Sequence, residues 1–162
     1  MVYMVNNLGE MDKVAAEIVA NLKHSQNGAT VVGLYGDLGS GKTTFTQSVA
    51  RTFGITENVV SPTFVIEKIY ELGAGSKQQV ARKNSLATKF CHLIHIDAYR
   101  IESSNELIHL GWHDIVSNPE NLILIEWPER LADIMPEHIK INFSHVSESE
   151  RMIEITKQKR QA

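Results

Sequence analysis

The chain has 162 residues, 43% of them hydrophobic, with 16 basic and 19 acidic side chains and a formal charge of −3. That length predicts one domain, residues 1–162, with a packed core, and the charge balance excludes a protein that coats nucleic acid by bulk electrostatics. A single cysteine, Cys91, excludes an internal disulfide, and no apolar run approaches the length of a membrane span.

The first residues lack the charged-then-apolar layout of a secretion signal. Together with the lone Cys91, this predicts a reducing, cytoplasmic setting without a membrane partner, and a buried, inert thiol.

Taken in chain order, residues 1–5 read as a short strand. Residues 10–23 place Val14, Ile18, Val19 and Leu22 at helical spacing, and Asn27-Gly28 is expected to stop that helix. Ala29-Thr30-Val31-Val32-Gly33-Leu34-Tyr35 reads as a buried strand. It runs into Gly36-Asp37-Leu38-Gly39-Ser40-Gly41-Lys42-Thr43, which fills every required place of a phosphate-binding loop. Glycines let successive backbone N–H groups turn inward as an anion-binding nest. Lys42 is placed to meet the β- and γ-phosphates of a nucleotide, and the Thr43 hydroxyl to ligate Mg²⁺. A helix beginning near Thr44 would aim its positive end at those phosphates.

Further along, Ser61-Pro62-Thr63 offers a hydroxyl on a proline-stiffened turn. It reads either as a simple turn or as a sensor of the γ-phosphate. A strand is expected from this turn toward Tyr70, and a second over His92–Asp97, so that the two form a long hairpin. Between them, residues 73–89 carry Lys77, Arg82, Lys83 and Lys89 and no acid. A solvated hairpin tip is the expected reading of this stretch. Residues 105–110 suggest a short helix ended by Gly111.

Asn121-Leu122-Ile123-Leu124-Ile125-Glu126 is an apolar run closed by an acid, the pattern of a strand covered on both faces. Glu126 would lie on the same sheet edge as the phosphate loop and serve as the acid that holds Mg²⁺ directly or through water. Asp97 ends a similar strand. It could hold Mg²⁺, orient the attacking water, or cap the turn before Tyr99-Arg100. Trp127 is expected as a packing residue, with stacking on adenine as the alternative. His92, His95 and His113 lack metal-cluster spacing, and no Gly-x-Ser-x-Gly or Cys-x-x-Cys appears. Residues 139–143 and 152–155 alternate as half-exposed strands. The fold class is therefore α/β: a three-layer domain like those of P-loop NTPases, its mixed sheet having a parallel centre and an antiparallel hairpin edge.

Four segments together resemble the TsaE family: the loop from Gly36 to Thr44, Ser61-Pro62-Thr63-Phe64, His95-Ile96-Asp97-Ala98-Tyr99-Arg100, and Ile125-Glu126-Trp127-Pro128-Glu129-Arg130. The likeness spans most of residues 5–145. It implies a small bacterial ATPase needed for threonylcarbamoyl modification of the adenosine beside the anticodon in ANN-decoding tRNAs. Such a protein docks on a TsaD–TsaB heterodimer and meets tRNA indirectly. By the same resemblance, residues 36–44 would hold ATP, with Thr43 and Glu126 the Mg²⁺ ligands. Lys42, Asp97 and Glu126 would be catalytic, Thr63 and Asp97 near the γ-phosphate, Trp127 near the nucleotide, and Arg130 on phosphate or a partner. The basic stretch 73–89 is longer and more basic than the family usually shows; beside the solvated hairpin tip, the alternative reading is contact with tRNA or with an acidic partner surface. Two rival readings stay open: a small-molecule kinase with Asp97 as base, and a nucleotide-dependent binding module.

Overall fold

The computed structural model describes residues 1–57, 59–60, 62, 65–72 and 90–158. A seven-stranded sheet organises them. Its strands are β1 (Val2–Val5), β2 (Thr30–Tyr35), β3 (Glu67–Glu71), β4 (His92–Asp97), β5 (Asn121–Glu126), β6 (His138–His145) and β7 (Arg151–Gln158), in the spatial order β1-β7-β6-β2-β5-β4-β3. The middle four, β6, β2, β5 and β4, run parallel; β3 pairs antiparallel with β4 on one side, and on the other β7 pairs antiparallel with β6 and β1 antiparallel with β7. The expected parallel centre and hairpin edge are present, and a second antiparallel edge joins them.

Two helices, α1 (Leu8–Asn21) and α2 (Lys42–Thr52), pack on one face. Their Val14, Ile18, Phe45 and Val49 join Val32, Leu34, Leu122 and Leu124 in one core cluster. The other face takes α3 (Asn105–His109), α4 (Trp112–Ser117) and a 3₁₀ turn, Pro128–Leu131. Here Leu107, Trp112 and Leu131 close over Val31, Ile94, Ile123 and Ile125. All six residues of β5 are buried, because each face of that strand is covered. Among the described residues, no helix is long and apolar enough to cross a membrane.

Several boundaries differ from the sequence expectation. α1 starts at Leu8 because Asn7 caps it, its side chain accepting from Glu10 N at 3.0 Å while the Glu10 carboxylate accepts from Asn6 N at 2.7 Å. It ends at Asn21, ahead of Asn27-Gly28, where Leu22 turns extended and inserts into the core. β3 opens only at Glu67, because the Pro62 carbonyl accepts from Val65 N at 3.0 Å and from Ile66 N at 2.7 Å, and Ile66 takes φ 67°. Gly111, at φ 93°, ends α3 and also opens α4, a helix not expected from the sequence. Cys91 is exposed rather than buried: its backbone extends the ladder through Leu72 N and Glu120 O, while its side chain turns outward. Local desolvation and the Glu120 carboxylate raise its pKa, so the thiol stays protonated. Ser61, Thr63, Phe64 and residues 73–89, with the expectations placed on them, lie outside the described residues.

Candidate functional site

The sheet delivers its chemistry to one edge. β2 runs into the loop of residues 36–41, and the adjacent parallel strands β5 and β4 end there in Glu126 and Asp97, which are register partners. Parallel pairing alone puts two carboxylates side by side above the same helix N-terminus. Both are almost wholly buried, at 3% and 4% exposure, so neither is an ordinary solvated strand-end acid.

Backbone conformation shapes the loop. Gly36, Gly39 and Gly41 take φ of 139°, 74° and 109°, values that L side chains disfavour. Gly36 is constrained twice, since a Cβ there would lie 2.4 Å from Phe143 O and 2.9 Å from Ser40 Oγ; a Cβ at Gly39 would meet nothing within 4 Å. Ser40 Oγ is buried and has no hydrogen-bond partner among the described residues. From Gly41, its N-cap, α2 begins at once with Lys42.

Lys42 is 4% exposed. Its Nζ donates to Gly36 O at 2.6 Å and Asp37 O at 2.8 Å and lies 4.1 Å from the centre of the Trp127 ring. Burial lowers its pKa, while Glu126, Glu129, Asp97 and Asp37 oppose that shift by favouring the ammonium. Thr43 Oγ1 donates to Glu126, 2.9 Å from Oε1 and 3.1 Å from Oε2. From β4, His95 Nε2 stands 2.9 Å from Oε1 of the same carboxylate, with the ring wholly buried.

Asp97 is tied differently: its Oδ1 accepts from Tyr99 N at 2.9 Å, the cap that begins the following turn. Trp127 is half-buried instead of fully packed. Part of its ring lies against the α3/α4 core, and Tyr99 tilts onto it at 5.2 Å between centroids. Arg130 is exposed and sits 5.8 Å over the Tyr99 ring.

These groups line one cleft of about 330 Å³, bounded by Leu38, Gly39, Gly41, Lys42, Thr43, Thr44, Asp97, Tyr99, Glu126 and Trp127. Of the site residues expected from the sequence, Gly36, Asp37, Ser40 and Arg130 do not line this cleft and Thr63 lies outside the described residues; the others line it. A larger hollow of about 680 Å³ lies beyond the end of α2, among Gln47, Arg51, Ile55 and Glu57, but it holds none of the phosphate-loop groups. Among the described residues no three His, Cys, Asp or Glu side chains gather around a metal position. A hydroxyl and a carboxylate are instead the donor set for a hard cation that completes its shell with water and phosphate oxygens, as Mg²⁺ does. The residues present therefore fit Mg²⁺ and a phosphate chain.

Sequence reasoning missed His95. The signal was the two-residue period of β4, which puts Leu93, His95 and Asp97 on one face, beside the even-numbered residues of β5.

Comparison with known proteins supplies the relatives. The family model for threonylcarbamoyl adenosine biosynthesis protein TsaE matches residues 5–153. Curated proteins named tRNA threonylcarbamoyladenosine biosynthesis protein TsaE match at 32% identity in Rickettsia prowazekii, over 96% of this chain and 94% of that protein, and at 34% in Haemophilus influenzae, over 90% and 80%. The Bacillus subtilis protein of that name is 35% identical, over 78% of this chain and 68% of its own length. A crystal structure of Bacillus subtilis YdiB superposes with a TM-score of 0.65 and 28% identity, covering 97% of this chain and 84% of that one.

Proposed function

This chain belongs to the TsaE family, and from that premise we propose that it is a Mg²⁺-dependent ATPase acting in the cytoplasm on a TsaD–TsaB complex. In this reading it supports threonylcarbamoyl modification of the adenosine next to the anticodon in ANN-decoding tRNAs, and it meets tRNA only through its partners. The observation that carries the reading is the direct bond between Thr43 at the start of α2 and Glu126 at the tip of β5. Two residues 83 positions apart meet where a phosphate loop and a strand-end acid must meet if one cation is to serve both.

Bound Mg²⁺ would neutralise charge on the phosphate oxygens, held by Thr43 and Glu126. The chain's own residues do the rest. Gly36, Gly39 and Gly41 let the loop turn its amides toward an anion, and Lys42 exchanges its bonds to Gly36 O and Asp37 O for phosphate. Asp97 stands beside Glu126 in the same cleft and orients the attacking water. Trp127 and Tyr99 wall the cleft and exclude bulk solvent. The described lining contains Lys42 but no arginine. An arginine at the transferring phosphate is worth roughly 10³–10⁵ in rate where it operates, so low activity alone and supply of that charge by a partner follow.

Phosphate release is the test. The purified chain should release phosphate slowly from ATP with Mg²⁺ and no added acceptor, and faster with a TsaD–TsaB pair. Thr43→Ala should abolish this while keeping the fold by circular dichroism. Normal turnover by Thr43→Ala with the pair present overturns the assignment. Release that requires an added metabolite would replace it with a kinase.

A further inference from the structure

His95 is wholly buried, yet among the described residues only one of its ring nitrogens has a partner. Nε2 lies 2.9 Å from Glu126 Oε1, and Nδ1 is buried without a hydrogen bond. Buried polar groups are normally paired, and an unpaired one costs stability. A leucine would fill an interior strand position without that cost. The imidazole is explained by what its other nitrogen does. A carboxylate only accepts, so the bond to Oε1 requires a hydrogen on Nε2.

The Glu126 carboxylate is thereby gripped from two sides. Thr43 Oγ1 reaches both oxygens from α2, and His95 takes Oε1 from β4. Thr43 alone, bridging the two oxygens nearly symmetrically, leaves the carboxylate free to rotate about its last bond. His95 breaks that symmetry by fixing Oε1 to the interior of the sheet.

We infer that His95 is the positioning residue of this site: its Nε2–H sets the plane of the Glu126 carboxylate against Thr43 and thereby sets the affinity for a divalent cation. The inference rests on the reading of Glu126 as the acid that holds Mg²⁺. His95 touches neither cation nor nucleotide and acts through Glu126.

Manganese serves as the probe, its free concentration read by electron paramagnetic resonance in the presence of ADP, alongside ADP affinity measured in chelator. His95→Leu and His95→Asn remove a donor that can reach Oε1, whereas the amide nitrogen of His95→Gln falls near the place of Nε2 and keeps it. Loss of a group that orients a metal ligand costs roughly ten- to hundred-fold in metal affinity, and that loss is expected for Leu and Asn. Gln should stay close to the unsubstituted protein, and metal-free ADP affinity should not change in any variant.

Glu126→Gln separates the two readings. If it weakens manganese binding while every His95 variant binds normally, the inference about His95 fails and the reading of Glu126 stands. If Glu126→Gln binds manganese normally, the reading of Glu126 itself fails. Equal loss in His95→Gln and His95→Leu also overturns the inference, because the donor is then not what matters. Should His95→Leu fail to fold, the Gln and Asn pair decides. A ¹H–¹⁵N spectrum of the unsubstituted protein gives an independent check: hydrogen on Nε2 supports the assignment, and hydrogen on Nδ1 alone sinks it.

Discussion

Successive residues of β5 serve opposite faces of the sheet. Leu122 and Leu124, with Glu126 beyond them, look toward α1 and α2; Ile123 and Ile125 look toward α3, α4 and the 3₁₀ turn. On the first face, apolar packing gives way at its edge to Thr43, His95, Asp97 and Glu126, all held by short polar bonds. On the second, the side chains gathered around Trp112 are apolar, and polar anchors are few: the indole N–H donates to Ile134 O at 3.3 Å, and Asn121 Nδ2 to Ile115 O at 2.9 Å. One face carries the chemistry and its frame together, and the other is chiefly frame, meeting the cleft through Trp127. Substitutions on the two faces should therefore separate function from stability.

The largest expected effect is on the purely apolar face. Trp112→Ala should lower unfolding free energy by about 3–5 kcal/mol in urea titration, while the protein that remains folded binds nucleotide normally. Weakened nucleotide binding at temperatures where that variant is fully folded would break the comparison.

A smaller effect sharpens it within the loop. At Gly39 the backbone angle is the whole obstacle, so Gly39→Ala should cost about 1–2 kcal/mol. Gly36→Ala should cost clearly more, because its Cβ would also meet Phe143 O at 2.4 Å. Equal denaturation midpoints would show that the loop shifts away from β6 freely.

What could be read in advance follows the same division. The α1/α2 side was legible because its signals are local or strictly periodic: a complete phosphate loop, an apolar strand closed by an acid, and helical spacing at Val14 and Ile18. The α3/α4 side was less so. α4 spans only Trp112–Ser117, too short for a period to declare itself, and Gly111 gives the same signal whether it ends one helix or starts the next. Cys91 was expected in the interior on composition, but it stands just before β4, with its side chain exposed. Within the site, Glu126 and Thr43 could be named from motifs. His95 could not, since its meaning depends on the parallel register that sets β4 against β5.

The smallest effect concerns pH. Burial lowers the Lys42 pKa below the ordinary 10.5, so in the alkaline window under that value the unfolded chain binds more protons than the folded one, and stability rises with pH there. Lys42→Met should remove that rise. Parallel stability curves for the two proteins between neutral pH and 10.5 would mean that the ammonium is solvated in the fold.

Trp127 sits where the backbone would favour another residue. At φ 58° and ψ 46° it takes a conformation that glycine accepts freely and a tryptophan resists by about 1–2 kcal/mol. The ring offsets that cost by resting on the α3/α4 core, meeting Tyr99 and lying over Lys42. A glycine here would relax the chain but forfeit those contacts, so the indole keeps its awkward backbone only because the wall it builds holds.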